Sequence, residues 1–370
     1  MGEAKPFSDD NPLYDNPFEV AFSGMKIRYV TYASMIRSAK FLQPKDKVSV
    51  FINIETLLNS LSSIKDIGNL VLKEQFFPVI MESGIINLAA HYKRFFRKFN
   101  LDVKVFLYYT DLSRESYKNN QYEHYYRSYY QNKFMENPNY YLIGERMVKD
   151  IVPMVSKILE FIPDVYFIKT ESMDSSLVPY VISKMYPDRK NFIITGDNYD
   201  TQYMNYPNFF VSIIRRTGTG NLAICSLDKI IPMIFRDNMA VVNNVDIFYN
   251  KMFYSMCLAV TGDHRRSIKS IRGVGPKTLS NKIKKAIDNG DLTRDCTSID
   301  VCCTVLDRDN DLLAQNCRCI NLDSQYADLT DSDFFAIKNQ IVDRYDQNSL
   351  EELNTTRYQY FPLMLNELTH

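Results

Sequence analysis

Short apolar runs rich in β-branched and aromatic residues alternate with longer amphipathic segments in the first half of the chain. The runs are Lys47–Asn53, Val103–Tyr109, Asp164–Ile168 and Asn191–Thr195. Their length and composition predict buried strands. Between these runs, apolar residues at helical spacing predict three helices. The first ends at Lys98, the second runs from Val148 to Phe161, and the third runs from Leu177 to Met185. Strands that alternate with helices favour an α/β fold with a mostly parallel sheet and flanking helices.

The first of these helices carries a basic cluster near its end. Helical spacing predicts that its apolar side packs on the sheet and that the basic side chains lie on the outer face. The basic side chains are Lys93, Arg94, Arg97 and Lys98.

Acidic or amide residues follow the carboxyl end of each predicted strand. They are Asn53 and Glu55, then Asp111, then Glu171 and Asp174, and then Asp197 and Asp200. Parallel strands end at one edge of a sheet, where the active sites of such folds lie. Clustered carboxylates suit Mg²⁺ or Mn²⁺, and two such ions can stabilise the attacking and leaving oxygens of phosphodiester hydrolysis. The alternative is that Asp simply occupies solvated turns at the strand ends.

A glycine-containing segment, Ser270–Thr278 (SIRGVGPKT), lies between two predicted helices. An apolar helix is predicted over Ile247–Val260, and a basic helix carrying Lys277, Lys282, Lys284 and Lys285 begins at Pro276. The pattern predicts a helix–hairpin–helix that binds the phosphate backbone of DNA. A simple turn that joins two helices is the alternative.

The chemistry of this hairpin suits an anion. Gly273 and Gly275 permit a positive φ and bring backbone N–H groups close to a phosphate. The helix that follows would offer its N-terminus to the same anion, with a charge and a hydroxyl nearby. The expected contacts are Gly273, Val274, Gly275, Lys277, Thr278 and Lys282.

The charge balance limits how the chain can bind nucleic acid. Lys+Arg and Asp+Glu are each 44, so the net charge of zero excludes indiscriminate binding of polyanions but allows a local basic patch. No apolar run is long enough to predict a membrane span, and the polar N-terminus lacks the apolar centre of a signal peptide. These features favour a cytoplasmic protein without membrane contact.

Five of the seven cysteines lie between Cys296 and Cys319. A structural zinc site is one interpretation of Cys302, Cys303, Cys317 and Cys319. Their spacing is not CxxC and no His lies among them, so buried free thiols are the favoured interpretation.

Two adjoining segments, Gly262–Ile268 and Ile271–Thr278, resemble the GDxxDNI-x-GvxGiGxKtA signature of the flap-endonuclease-like 5′ nucleases. That family includes phage 5′–3′ exonucleases and phage RNase H. Upstream, Ile193–Thr201 is similar to its S/T-x-D-x-D-x-x-Q segment, and Ile168–Ser176 is similar to its E-A-D-D segment. Val50–Asn53 resembles its first strand and metal-binding Asp. The resemblance covers about residues 47–290 in the family's order.

This resemblance implies a PIN-like α/β domain with a helix–hairpin–helix that binds K⁺ through hairpin carbonyls. It implies Mg²⁺ or Mn²⁺ at Glu171, Asp174, Asp197, Asp200 and Asp263. In the fourth-strand segment one alignment keeps only Asp200 and another keeps both Asp197 and Asp200. The region from Arg114 to Arg127 lies where the family has its arch over single-stranded DNA, which implies that both arginines contact DNA.

Several positions depart from the family's pattern. Asn53 stands for the first Asp, Met173 for the first Asp of E-A-D-D, and Arg266 and Ser267 for the second Asp and the Asn of GDxxDN. Asn53 lacks a full negative charge. Arg266 puts a cation where a divalent metal would bind, so repulsion opposes the ion. The second metal site is therefore expected to be weak or absent.

Four parts are predicted along the chain. They are an N-terminal arm over 1–46, a PIN-like domain over 47–245 with an arch-like region at 111–140, a helix–hairpin–helix region over 246–290, and a C-terminal helical extension over 291–370.

The function predicted is that of a DNA-binding protein on a 5′-nuclease fold, a pseudoenzyme with impaired or lost metal-dependent cleavage. It would hold branched or single-stranded DNA in replication or repair, with replication proteins as further partners, in the cytoplasm of a phage-infected bacterium. Two alternatives stay open. One is an active Mg²⁺-dependent 5′–3′ exonuclease or flap endonuclease, in which Glu55, Asp111, Glu171 or Asp174 replaces the lost ligands. The other is a structural or assembly factor that reuses the fold.

Overall fold

The computed structural model describes residues 44–54, 100–110, 162–170, 173–195, 198–206, 208–216, 222–225, 268–291 and 311–341. It also describes positions 85, 89, 92–93, 96–97, 153, 155–156, 259–260 and 262. Among the helices in these ranges, none is both long and apolar enough to cross a membrane.

Six described strands form one sheet in the order β3-β2-β1-β4-β5-β6. The strands are β1 (Lys47–Asn53), β2 (Asp102–Thr110), β3 (Val165–Thr170), β4 (Lys190–Thr195), β5 (Phe209–Arg216) and β6 (Leu222–Cys225). Strands β1 to β5 pair in parallel, and β6 pairs antiparallel with β5. The predicted α/β fold with a mostly parallel sheet is confirmed, and β1 to β4 are the four strands that the sequence pattern predicts.

The central strands are buried on both faces, as expected for strands of a parallel sheet. Phe51, Phe106 and Tyr166 are in register on β1, β2 and β3, and their rings stack with both centroid separations at 5.1 Å. Phe192 stacks on Phe210 at 4.6 Å on the other face, because Phe192 is one position out of register with Phe51. These ring stacks connect neighbouring strands through side chains as well as through backbone hydrogen bonds.

Five helices accompany the sheet in the described ranges. They are α1 (Val178–Met185), α2 (Pro276–Asp288), α3 (Asp311–Ile320), α4 (Leu322–Ala327) and α5 (Asp331–Gln340). The predictions of a helix ending at Met185 and of another beginning at Pro276 are confirmed. One hydrophobic core includes Phe51 of the sheet, Leu279 of α2, Leu313 of α3 and Ile337 of α5. The C-terminal helices therefore share the core of the sheet.

The expectation that Lys93 lies on an outer helical face is wrong. Lys93 is 1% exposed, and its Nζ donates a hydrogen bond to the backbone oxygen of Pro163. Its aliphatic stem can occupy apolar surroundings because the ammonium group has a carbonyl acceptor at its end. Arg97 does lie near the surface, 3.9 Å from a carboxylate oxygen of Asp164. Arg94 and Lys98 lie outside the described residues.

Helix α5 covers the β3 edge of the sheet through one side chain. Gln340 accepts a hydrogen bond from the backbone N–H of Lys169 at 2.8 Å and donates one to the backbone oxygen of Lys169 at 3.0 Å. The amide thus takes the place of a neighbouring strand at that residue. Covering an edge in this way opposes pairing with other chains.

Arg189 holds the amino ends of β1 and β2 together, just before β4 begins. Its guanidinium is 4% exposed and donates to Ser49 Oγ at 3.1 Å, to the Val48 oxygen at 2.6 Å and to the Asp102 oxygen at 3.0 Å. A carboxylate oxygen of Asp102 lies 3.3 Å from it as well. The planar group with its several donors suits this set of acceptors.

We expect Arg189→Leu to lower the free energy of unfolding by about 3 kcal/mol, because two buried carbonyls and a hydroxyl lose their donor. Urea denaturation followed by circular dichroism measures the change. Lys47→Ala is the matched control, since Lys47 pairs with Asp188 at 2.6 Å on the surface with both side chains more than half exposed. An unchanged urea midpoint for Arg189→Leu would contradict the structural role given to this residue.

Candidate functional site

The sheet order places a topological switch point, where open α/β sheets form a crevice, at the carboxyl ends of β1 and β4. These two strands are neighbours, yet the chain continues from β1 to β2 on one side and from β4 to β5 on the other. Ligands of open α/β sheets bind at such a switch point. Asn53 ends β1 and Thr195 ends β4, with exposed fractions of 6% and 0%. Asn53 and Thr195 therefore end neighbouring parallel strands at this edge of the sheet.

Asp200 is fully buried beside this crevice. It lies on a 3₁₀ segment, Asn198–Asn205, that directly follows β4. Thr195 Oγ1 donates to Asp200 Oδ2 at 2.5 Å, which holds the carboxylate against the end of the strand. The hydroxyl thus compensates part of the cost of burying the acid.

Tyr203 extends this polar arrangement toward β3. Its hydroxyl donates to the backbone oxygen of Ser176 at 2.5 Å. Complete burial, and after it the nearby charge of Asp200, hold the pKa of Tyr203 well above its usual value. Tyr203 therefore stays a neutral donor, and its bond ties the segment after β4 to the segment after β3.

Asp174 and Met173 follow β3. Asp174 caps the short 3₁₀ turn Ser175–Leu177, accepting a hydrogen bond from the Ser176 N–H at 2.9 Å. Met173 is 6% exposed and belongs to the hydrophobic core. The position that holds an Asp in the resembled family is thus occupied here by a core side chain.

Only part of the predicted metal set falls within the described residues. Asp174 and Asp200 are described, whereas Glu171, Asp197 and Asp263 lie outside. No three His, Cys, Asp or Glu side chains group to hold an ion in the part of the chain that the structure describes. Asp174 and Asp200 each also accept a hydrogen bond within the protein. Two carboxylates are fewer ligands than Mg²⁺ or Mn²⁺ needs, so the fit of this edge to a divalent metal depends on Glu171, Asp197 and Asp263.

The glycine-containing segment forms a tight, exposed turn. Val274 N–H donates to the Ile271 oxygen at 3.2 Å, and Gly273 has a φ of 81°. Gly273 and Gly275 are exposed, and a Cβ at either position would meet nothing within 4 Å. Helix α2 begins at the next residue, with the Leu279 N–H donating to the Gly275 oxygen at 3.0 Å. A large anion can therefore approach the backbone of this turn from solvent.

Helix α2 presents a basic surface that continues from the turn. Thr278, Lys282 and Lys285 are exposed and lie on one face because they are four and three residues apart. Leu279 and Ala286 are buried on the inner side. Lys269 and Arg272 are also exposed, just before and within the turn. We call Lys269, Arg272, Thr278, Lys282 and Lys285 the basic face.

Sequence reasoning missed Lys269 as a candidate contact, although its position just before the glycine-containing segment was a usable signal. It assigned the segment that contains Arg272 to DNA binding without singling out that side chain. The predicted contacts Arg114 and Arg127 lie outside the described residues, as does the side chain of Lys277. Arg266 and Ser267, the positions that depart from the family's pattern, lie outside as well. Ala259 and Val260 are helical, but most of the helix predicted over Ile247–Val260 is outside as well. The helix–hairpin–helix as a whole therefore stays a prediction.

Before the hairpin, the backbone at Gly262 lies very close to the backbone of Ile268–Ser270, which leads into the turn. This residue has a φ of 74°, and a Cβ there would lie 2.5 Å from the Ile268 oxygen and 2.7 Å from the Ser270 nitrogen. No other residue fits without moving the backbone. The Ile271 N–H also donates to the Val260 oxygen at 2.8 Å. Asp263 thus follows a glycine that the packing requires.

Cys317 and Cys319 are buried free thiols on α3. Burial raises the pKa of the Cys319 thiol to about 11, with a smaller effect from Cys317. These two residues agree with the favoured interpretation. Cys302 and Cys303 lie outside the described residues.

We expect both thiols to resist alkylation by iodoacetamide in the folded protein at pH 8, because both are buried. For Cys319 the raised pKa also lowers the fraction of the reactive thiolate. Peptide mass spectrometry, with protein unfolded in urea as the control, measures the labelling. The pKa of Cys319 is higher in the folded protein than its ordinary value of 9.0. The contribution of Cys319 to the free energy of unfolding is therefore complete below pH 9.0 and is lost as the pH rises toward about 11. Equal labelling of folded and unfolded protein at pH 8 would contradict this prediction.

Solved structures of bacteriophage T5 nucleases are similar to this chain. A T5 5′-exonuclease with bound zinc ions is 11% identical, with a TM-score of 0.44 over 80% of this chain and 98% of that chain. A T5 flap endonuclease in a pseudo-enzyme–product complex with DNA and metal ions is 13% identical, with a TM-score of 0.40 over 87% of this chain and 100% of that chain. No protein-family model and no curated protein matches the chain. These TM-scores are low, so the description of the fold rests on the strand order and register given above.

Proposed function

We propose that this chain binds DNA through its hairpin and basic face, and that its metal-dependent cleavage is impaired or lost. One contrast carries the proposal. An exposed glycine turn continues into exposed basic side chains, while the switch point of the sheet holds the neutral, buried Asn53 where the resembled family has an Asp.

The binding half of the proposal follows from the geometry of the turn. The open space at Gly273 and Gly275 lets phosphate oxygens reach backbone N–H groups. Lys282 and Lys285 then lie along the same helix, where they can neutralise the next phosphates of a strand. Such contacts read no bases, so the expected ligand class is DNA recognised by its backbone and shape.

The cleavage half follows from the residues at the sheet edge. Hydrolysis assisted by metal ions needs carboxylates that hold the ions, and each ion supplies several kcal/mol of charge stabilisation. Asn53 brings no charge, Met173 is a core side chain, and Arg266 adds a positive charge to the Asp263 segment. These changes support weakened metal binding.

The second candidate is an active Mg²⁺- or Mn²⁺-dependent 5′–3′ exonuclease or flap endonuclease. The burial of Asp200 at the switch point favours it, because a buried acid at that edge is the kind of ligand the chemistry needs. Asp174 also keeps its place after β3. Glu171, Asp197 and Asp263 would have to complete the site, and K⁺ at the hairpin carbonyls would assist binding.

Finer parts of the proposal concern the setting. Branched or single-stranded DNA is the expected substrate form, in replication or repair, with replication proteins as further partners. The cytoplasm of a phage-infected bacterium is the expected location. All of these follow from the resemblance in sequence.

The test is a 5′-flap DNA incubated with the purified protein in Mg²⁺ and, separately, in Mn²⁺, with Asp263→Ala as the control. We expect binding by fluorescence anisotropy and no cleavage above that of Asp263→Ala. Cleavage that Asp263→Ala abolishes would replace the proposal with the active nuclease. Absence of both binding and cleavage would favour a structural or assembly factor.

A further inference from the structure

Helix α3 contacts both sides of the segment that leads into the hairpin. Asn316, 4% exposed, donates from Nδ2 to the Ala259 oxygen and to the Lys269 oxygen, each at 2.8 Å. Ala259 lies before the close approach at Gly262, and Lys269 lies after it, directly before the turn. Both hydrogens of one amide are therefore used to hold the two sides at a fixed separation.

Other contacts among the described residues also hold the turn from the core side. The Ile271 N–H bonds to the Val260 oxygen, and Ile268 and Ile271 are buried in the core. Arg272, Gly273 and Gly275 beyond them are exposed. The orientation of the turn is thus set by residues 259–260 and 268–271, where Asn316 makes two of the polar contacts.

The other end of α3 reaches the candidate crevice. Tyr199, the neighbour of Asp200, donates its hydroxyl to the Ile320 oxygen at 2.7 Å. Gln325 Nε2 donates to the same hydroxyl at 2.7 Å. Asn316 and Ile320 are one helical turn apart, about 6 Å along the axis. Through α3, the base of the hairpin and the segment that carries Asp200 are held at a set spacing.

We propose that Asn316 is a positioning residue for DNA binding, which orients the hairpin relative to the carboxyl edge of the sheet. This inference rests on the proposed function, because it assigns Asn316 a role in the same interface. A hairpin oriented before binding loses less conformational freedom when DNA binds, so its orientation contributes to affinity without a contact to DNA.

The residue type supports this role. Asparagine supplies two donors on a short stem and suits two carbonyl acceptors at once. Aspartate would place a carboxylate against two carbonyl oxygens, and alanine would leave both carbonyls without this donor. Either change is expected to loosen the two sides of the segment while every basic side chain remains.

The experiment compares Asn316→Ala with Gln340→Ala. Gln340 also makes a double amide bond to one strand, but at Lys169 on the far edge of the sheet, so it controls for a general loss of stability. Hydrogen exchange of the Ile271 and Val274 amides in the free protein is expected to be about tenfold faster in Asn316→Ala and unchanged in Gln340→Ala.

The DNA measurement uses a 5′-flap duplex over a range of salt concentrations. Asn316→Ala is expected to bind about tenfold more weakly, with an unchanged dependence of log affinity on log salt, since the number of neutralised phosphates stays the same. Gln340→Ala is expected to bind like the wild type. A general loss of stability would weaken both variants alike.

Equal exchange and equal affinity of Asn316→Ala and the wild type would overturn the inference and leave the proposed function intact. A wild type that binds no DNA would overturn the proposed function and with it the role in DNA binding, while the exchange result would still decide whether Asn316 holds the hairpin. Should Asn316→Ala fail to fold, Asn316→Ser keeps one donor and gives the same comparison at smaller amplitude.

Discussion

Replacing Lys282 and Lys285 together with alanine is expected to weaken binding to duplex DNA by about tenfold to a hundredfold near 0.1 M salt. Each exposed lysine on this face of α2 is expected to neutralise one phosphate, and a contact of this kind contributes about 1 kcal/mol, close to a factor of five in affinity. The slope of log affinity against log salt should fall in magnitude by about 1.8 for duplex DNA, since each neutralised phosphate contributes about 0.9. Fluorescence anisotropy at several salt concentrations measures both quantities.

Alanine favours the helix, so the change should leave α2 intact. Lys338→Ala is the matched control, because Lys338 is an exposed lysine on another helix, α5. Its affinity and slope should equal those of the wild type. A double variant that keeps the wild-type slope would show that phosphates do not follow this face of α2.

Restoring two acids, with Asn53→Asp and Arg266→Asp combined, is expected to raise Mn²⁺-dependent cleavage of a 5′-flap DNA by at least about 100-fold. The expected gain follows from several kcal/mol of metal-based charge stabilisation, at 1.36 kcal/mol for each factor of ten in rate. Single-turnover cleavage with excess protein measures the rate. The same pair of changes with Asp263→Ala should return the rate to background.

Stability gives a second readout of the same restoration. Asn53 is 6% exposed, so an Asp there without a metal would be a buried carboxylate with a raised pKa. The variant should therefore be less stable than the wild type, increasingly so as the pH rises through that raised pKa. Added Mn²⁺ should recover its melting temperature by binding the folded state. A wild type that cleaves as fast as the restored variant would show that these two positions do not limit the chemistry.

Local patterns in the chain were enough to predict β1 to β4 and the start of α2, whereas β5 and β6 were not predicted. The short run of apolar side chains in Lys47–Asn53 is enough to predict a buried strand, and β1 has the same bounds. Pro276 marks the first residue of α2 because proline suits the first helical position. Gly273 has the positive φ expected of a turn glycine.

The sequence could predict that Asn53 and Thr195 lie at the same edge of the sheet, but not that they end neighbouring strands. Both end apolar runs, so the pattern places both at one edge of a parallel sheet. That β1 and β4 are neighbours depends on strand order, which is decided by pairing over more than 100 residues of chain. The same limit applies to Lys93, whose burial depends on a distant acceptor, the Pro163 oxygen.

The chain by itself determined which segments form β1 to β4, where α2 begins, and which glycine has a positive φ in the turn, because each depends on residues a few positions apart. Only the tertiary structure decided that α3 joins the hairpin base to the segment carrying Asp200 and that α5 covers the edge of β3. Those contacts arise from single side chains, Asn316, Tyr199 and Gln340, that meet backbone oxygens 47 or more residues away. Such bonds leave no periodic trace in the sequence, since any polar residue on a half-buried helix would produce the same pattern.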